Sequence, residues 1–110
     1  MVDESVVKSV RTYLKVVVKN GIPVSRAVVY GSQAKGTADK WSDIDLIVIS
    51  PRFDKERTRK DLLLLWDLTA NTDSRIEPYP AGEKQWEEED SSARIEIARR
   101  EGIEITLAEG

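Results

Sequence analysis

Between Ile44 and Ser50 the chain runs almost without interruption through Ile44-Asp45-Leu46-Ile47-Val48-Ile49, and Pro51 closes the run. A short β-branched stretch of this kind reads as a strand buried on both faces. Alternation puts Ile47 and Ile49 on the face of Asp45, and Ile44, Leu46 and Val48 on the other. Only the first turn of that alternation is acidic. Asp43 and Asp45, two residues apart at the strand's start, share a face and converge on one spot at the end of the sheet. Acids at the edge of a core are costly unless a cation satisfies them. A lone Asp-x-Asp at a loop-to-strand boundary commonly just caps a turn, so its meaning depends on the surrounding chain.

From Glu4 to Asn20, Val6, Val7, Val10, Tyr13, Leu14, Val17 and Val18 recur at helical spacing, with Asp3 as N-cap and Asn20-Gly21-Ile22-Pro23 as stop. Valines are mediocre helix formers, so packing must hold this helix. Arg26 to Tyr30 reads as a strand that breaks at Gly31, and Gly36 limits any helical turn from Ser32 to Lys35. Thr37 to Ser42 reads as loop. Asp54 is expected to cap a second helix to about Thr69, with Leu62, Leu65, Trp66 and Thr69 on its apolar stripe and Arg57, Arg59 and Lys60 outside it. A third strand is expected over Ser74 to Tyr79. Pro78 lacks an N–H and suits a strand end or a sheet edge. Glu87 to Asp90 reads as solvated surface. Ser91 or Ser92 caps a last helix to about Arg100, with Gly102 beyond it. The alternating tail Ile103 to Leu107 either adds a strand or docks.

At 110 residues the whole chain, 1–110, is expected to form one domain, and no repeat or linker divides it. Apolar content of 40% with 34% charged residues fits a globular fold. The apolar runs are too short to span a bilayer, and the acidic start Asp3-Glu4 is unlike a secretion signal, so a cytoplasmic location is expected. The sequence has neither cysteine nor histidine. That excludes disulfides, thiolate zinc and the commonest general base, and leaves oxygen-bound hard cations such as Mg²⁺ or Mn²⁺. A net charge of −3 argues against broad binding to a nucleic-acid backbone.

Gly31-Ser32 lies directly after an apolar strand, where a missing Cβ lets a phosphate approach the main chain. The N–H groups of Ser32 to Lys35 and the Ser32 hydroxyl are candidates to hold the phosphates of a nucleoside triphosphate. For a bare Gly-Ser the ordinary reading is a strand-to-helix turn. The ten residues between Ser32 and Asp43 are enough to return the chain to a neighbouring strand, which brings a phosphate cradle and the two acids to one sheet end.

Gly31-Ser32-Gln33-Ala34-Lys35-Gly36 followed by Ser42-Asp43-Ile44-Asp45-Leu46 resembles the signature of the DNA polymerase β-like nucleotidyltransferases. The short length is similar to the minimal members, often encoded beside a helical HEPN-domain protein as antitoxin and toxin. The specific match covers residues 27 to 50. The resemblance implies an α/β (α+β) fold, a small mixed sheet of three to four strands flanked by helices. It also implies two Mg²⁺ ions and a third carboxylate on a neighbouring strand. Glu77 is the matching position, where the family more often has Asp; Asp67 and Asp73 fall on a helix and in a turn.

On this resemblance Asp43, Asp45 and Glu77 would hold metal and carry catalysis, and Gly31, Ser32 and Lys35 would bind nucleotide. Lys40 lies in a loop suited to offsetting phosphate charge, Arg75 and Tyr79 share the strand face of Glu77, and Trp41 either stacks on a base or covers the core edge. The implied reaction transfers a nucleoside monophosphate, AMP from ATP, to a hydroxyl on a HEPN-type protein partner. The alternative is a non-catalytic antitoxin that neutralises its partner by covering it.

Overall fold

The computed structural model describes residues 2–55, 59–88 and 92–107. Helix α1 (Glu4–Lys19) opens at Asp3, whose carboxylate accepts the Ser5 N–H at 2.8 Å, and closes at Asn20. Val6, Val10, Tyr13, Leu14 and Val17 are buried along it, while Val18 lies 46% exposed. Strand β1 (Arg26–Tyr30) leads into a single helical turn, α2 (Ser32–Lys35), bracketed by Gly31 and Gly36. Strand β2 (Ile44–Ile49) is followed by α3 (Arg52–Lys55), α4 (Arg59–Thr69) and strand β3 (Ile76–Ala81). Helices α5 (Glu83–Glu88) and α6 (Ala93–Glu101) then lead to the two-residue strand β4 (Ile103–Glu104).

The strands form one sheet in the order β3-β2-β1-β4. Strand β1 is antiparallel to both β2 and β4, whereas β2 and β3 are parallel, so the sheet is mixed and flanked by helices. The antiparallel step needs only the loop after Gly31. The parallel step needs a crossover, and α3 and α4 supply it.

Each face of the sheet has its own core. On one, Val10, Tyr13 and Leu14 of α1 and Leu65 of α4 pack with Ala27, Val29, Leu46 and Val48. The buried Tyr13 hydroxyl donates to the Leu65 carbonyl at 2.8 Å, joining the two helices. On the other face, Trp86 of α5 and Ile95 and Ala98 of α6 cover Val28, Tyr30, Ile47 and Ile49. The division of β2 residues between the two faces is the one its alternation predicts.

The region after β2 departs from the sequence reading. Asp54 does not cap a long second helix: it lies in α3, and its carboxylate accepts the N–H of Lys84 at 3.0 Å and of Gln85 at 3.4 Å, capping α5 instead. The buried stripe of α4 is Asp61, Leu65, Leu68 and Thr69, with Leu62 and Trp66 39% and 43% exposed. The helix is rotated because Asp61 is turned inward to the Arg52 guanidinium, at 2.8 and 3.2 Å, a paired charge that can be buried where a bare one could not. Arg59 and Lys60 are exposed as expected, and Arg57 lies outside the described residues.

Strand β3 starts and ends two residues later than expected, and it is an edge strand, as Pro78 requires. The carbonyls of Arg75 and Ala81 accept the N–H groups of Ile44 and Ser50. Odd-numbered residues therefore turn their backbone to β2, and Pro78 and Pro80 point their nitrogens to the open edge, where no donor is needed. Helix α5 covers part of the segment read as solvated surface; its lone buried residue is Trp86. Ser92, not Ser91, is the cap of α6, accepting the Ile95 N–H at 3.3 Å; Ser91 lies outside the described residues. The tail both pairs and docks: Ile103 and Glu104 join β1, and Ile105 is buried. Among the described residues no helix is long and apolar enough to cross a membrane.

Candidate active site at the end of the sheet

The register of the sheet assembles the site. Tyr30 at the end of β1 lies opposite Asp45, and Asp45 lies opposite Glu77 on β3. Gly31 is therefore delivered beside the acids by the same strand end that carries Tyr30. Its φ of 75° is a left-handed conformation that side chains rarely adopt, and a Cβ there would come within 2.5 Å of the Asp45 carboxylate. Glycine is thus needed at 31 twice over, for the turn and for the acid's space.

Gln33 adds a tether that the sequence reading missed. It is buried, and its side-chain amide donates to the carbonyls of Asp43 at 3.3 Å and Ser42 at 3.5 Å. The amide ties α2 to the start of β2 and so fixes where Asp43 begins. Its signal was a polar residue in the middle of the Gly31 to Gly36 turn, visible but unassigned.

The three predicted carboxylates come together. Glu77 lies within hydrogen-bonding reach of Asp43 and Asp45, and sharing a hydrogen bond with Asp43 is the main cause that raises its pKa to about 6, with burial and the charges of Asp43 and Asp45 adding to it. Burial, and then the charge of Asp43, raise Asp45 as well, while Arg94 and the hydrogen bond with Glu77 oppose the rise. Like charges gathered at a core edge call for a cation. Among the described residues no three such side chains form a ready-made metal cage. Mg²⁺ is usually held by one or two carboxylates with waters and substrate phosphates completing its shell. The donor set, all hard oxygen, fits such an ion.

The remaining candidates divide. In the turn between Gly31 and Gly36, the N–H groups of Ala34 and Lys35 are taken by the Gly31 carbonyl, both at 3.1 Å. Among the described residues no acceptor meets the N–H of Ser32 or Gln33, the usual state of a helix's first donors. The Lys35 amine pairs with Glu101 of α6 at 3.6 Å, both exposed. Arg75 turns away from the acids: its guanidinium grips Asp73 at 2.7 and 3.1 Å. That pairing also accounts for Asp73. Trp41 does not cover the core edge; it is 79% exposed, because Asp39 folds the loop on itself by accepting from Trp41 N–H and the Ser42 hydroxyl. Lys40 lies over the Trp41 ring at 5.1 Å. Tyr79 does border the acids' face, and above it sits Arg94 of α6, a residue the sequence reading did not single out.

The sequence pattern that defines the nucleotidyltransferase domain family matches residues 10–105. No curated protein sequence matches the chain. Among solved structures, it is similar to a Sulfolobus solfataricus protein provisionally named a nucleotidyltransferase, with 14% identity and a TM-score of 0.62 over 89% of this chain and 77% of that one. A toxin-antitoxin structure with AMP-PNP gives 17% identity and the same TM-score, over 89% of this chain and 73% of that one. At such identities the likeness shows a shared fold. The family match, spanning α1 to the docked tail and including every residue of the acidic cluster and its glycine turn, is what places the chain: it belongs to the nucleotidyltransferase domain family.

Proposed function

We propose that this protein is a metal-dependent nucleotidyltransferase that moves AMP from ATP to a hydroxyl on a partner protein. The observation that carries the reading is the meeting of Asp43, Asp45 and Glu77 beside a glycine whose Cβ position the Asp45 carboxylate occupies. Asp43 and Asp45, with Glu77, would hold Mg²⁺ or Mn²⁺. When bound, the two ions neutralise phosphate charge and support the attacking and departing oxygens.

The chain's own residues do the rest. Gly31 leaves the main chain open, and Ser32, through its N–H and hydroxyl, and the Gln33 N–H bind phosphate oxygens, with Lys35 adding charge at the far end of the same turn. The acceptor hydroxyl attacks the α-phosphorus, the bond to the β-phosphate oxygen breaks, and pyrophosphate leaves. The acceptor's proton passes to the Glu77 carboxylate, the natural base in a chain without histidine. The exposed Trp41 ring offers a stacking surface beside the acids. The similarity to a toxin-antitoxin structure with AMP-PNP supports a protein partner as acceptor, and the resemblance of the sequence to minimal members encoded beside HEPN-domain proteins is what suggests a HEPN-type toxin.

The test is incubation with Mg²⁺, ATP and the co-purifying protein, followed by intact mass. One added AMP per acceptor is expected, and its loss in Asp43→Asn. No added mass with any nucleotide or candidate partner overturns the enzymatic reading. If Asp43→Asn still inhibits the partner as well as the unaltered protein does, and neither modifies it, the chain is a binding antitoxin.

A further inference from the structure

Arg94 stands where two strands and a helix meet. Its guanidinium carbon lies 4.9 Å from the centroid of the Tyr79 ring, and its Nη1 is 3.4 Å from the Tyr30 hydroxyl. Tyr30 immediately precedes Gly31 and lies opposite Asp45; Tyr79 follows Glu77 by two residues on the same face. The guanidinium thus spans the strand ends that carry the acids and the glycine turn. Its charge is felt at Asp45 and at the Tyr30 hydroxyl.

Two further features separate Arg94 from an ordinary surface arginine. No carboxylate forms an ion pair with it among the described residues, whereas Lys35, the cation that the turn itself supplies, is paired with Glu101. Its ring contact and its hydroxyl contact hold the planar head without using up its charge, leaving most of its five N–H donors for an incoming group. A site built to receive a polyanion beside three carboxylates needs a fixed cation facing them, and guanidinium forks match phosphate oxygens.

We propose that Arg94 is a phosphate-binding residue of this site, contacting the triphosphate of the nucleotide from the α6 side while Gly31 and Ser32 hold it from the opposite side. This rests on the proposed nucleotidyltransferase reading and adds to Lys35 a second cation, one with no carboxylate ion pair among the described residues. Helix α6 then does two things: Ile95 and Ala98 pack in the core on the acids' face of the sheet, and Arg94 contacts the phosphate chain.

The test is calorimetric titration of the full chain with Mg²⁺ and a non-hydrolysable ATP analogue, alongside AMP, for the unaltered protein and for Arg94→Lys and Arg94→Met. Methionine keeps a long side chain over Tyr79 without the charge, and thermal melting reports whether it still folds. Arg94→Met is expected to lower affinity for the triphosphate by roughly 10- to 100-fold, as loss of a charge-assisted contact does, and affinity for AMP much less. Arg94→Lys should recover part of it. Equal triphosphate affinity in folded Arg94→Met and unaltered protein overturns the role of Arg94 and leaves the proposed function standing. Failure of the unaltered protein to bind any triphosphate overturns both.

Discussion

The two faces of the sheet are built from the same strands and do opposite work. Toward α1 and α4, β1 and β2 present Ala27, Val29, Ile44, Leu46 and Val48 to a mainly apolar layer whose buried polar groups have partners: the Tyr13 hydroxyl donates to the Leu65 carbonyl, Asp61 pairs with Arg52, and the Thr69 hydroxyl donates to the Trp66 carbonyl. Toward α5 and α6 the same strands present Val28, Tyr30, Asp45, Ile47 and Ile49, and the apolar layer stops one residue short of the sheet's end. The first face contributes stability. The second tolerates clustered acids because the first has already secured the strands that carry them, and there Asp45 and Glu77 are harder to ionise than they would be alone. Active sites commonly carry such local frustration, at the expense of stability.

That contrast predicts which changes separate folding from function. The largest effect is expected on the anchoring face: Leu14→Ala, at a fully buried position in α1 remote from the acids, should lower stability by about 2–5 kcal/mol in denaturant unfolding. Any nucleotide affinity should persist in whatever fraction stays folded. On the working face the sign reverses. Asp45→Asn should reduce nucleotidyl transfer by about 10²–10³-fold or more, the scale of losing one preorganised electrostatic group, while stability is unchanged or rises because repulsion from Asp43 is relieved. Steady-state rates together with a melting curve check both halves; a large loss of stability in Asp45→Asn would break the contrast between the faces.

A smaller effect tests the rim of the anchoring side. The hydrogen bond from Arg75 holds the Asp73 carboxyl down at about 2, below the usual value near 3.9. An acid whose folded value is depressed stabilises the fold above its unfolded value and loses that contribution as pH falls through the folded one. Stability from this pair should therefore be fully present above about pH 4 and fade between about pH 4 and pH 2, by roughly 0.5–1 kcal/mol at a partly exposed site. Asp73→Asn should flatten that part of the stability-pH curve. An unchanged slope would remove Asp73 from the acid response.

Legibility in the sequence followed the range of the interactions concerned. Helix α1 with its Asp3 cap, β1, the turn between Gly31 and Gly36, and β2 were readable because each is decided by neighbours a few residues away: a cap, a period, a glycine at each end. Pro78 announced a strand end or a sheet edge, and the edge is what formed, since a missing donor is a local fact with a topological consequence. Asp54 was misread because a cap can serve any nearby helix start, and only the packed chain brings α5 within its reach. The stripe of α4 was misread because Asp61 looks like a surface residue until Arg52 arrives to pair with it.

The candidate site divides along the same line. Sequence by itself determined that two acids would share a strand face, that a glycine turn would precede them, and that only hard oxygen ligands were on offer. Tertiary structure alone decided that Glu77 meets them rather than Asp67 or Asp73, because a parallel crossover sets β3 beside β2 in a register no local pattern encodes. It alone laid Arg94 across Tyr30 and Tyr79 from a helix more than sixty residues along the chain from β1; the grip of Arg75 on Asp73 and the loop that leaves Trp41 in solvent are contacts between residues two apart, local but unread. Local sequence fixes which chemical groups exist and which way each strand presents them; only the closing of the sheet under its helices fixes which of those groups can share one charge.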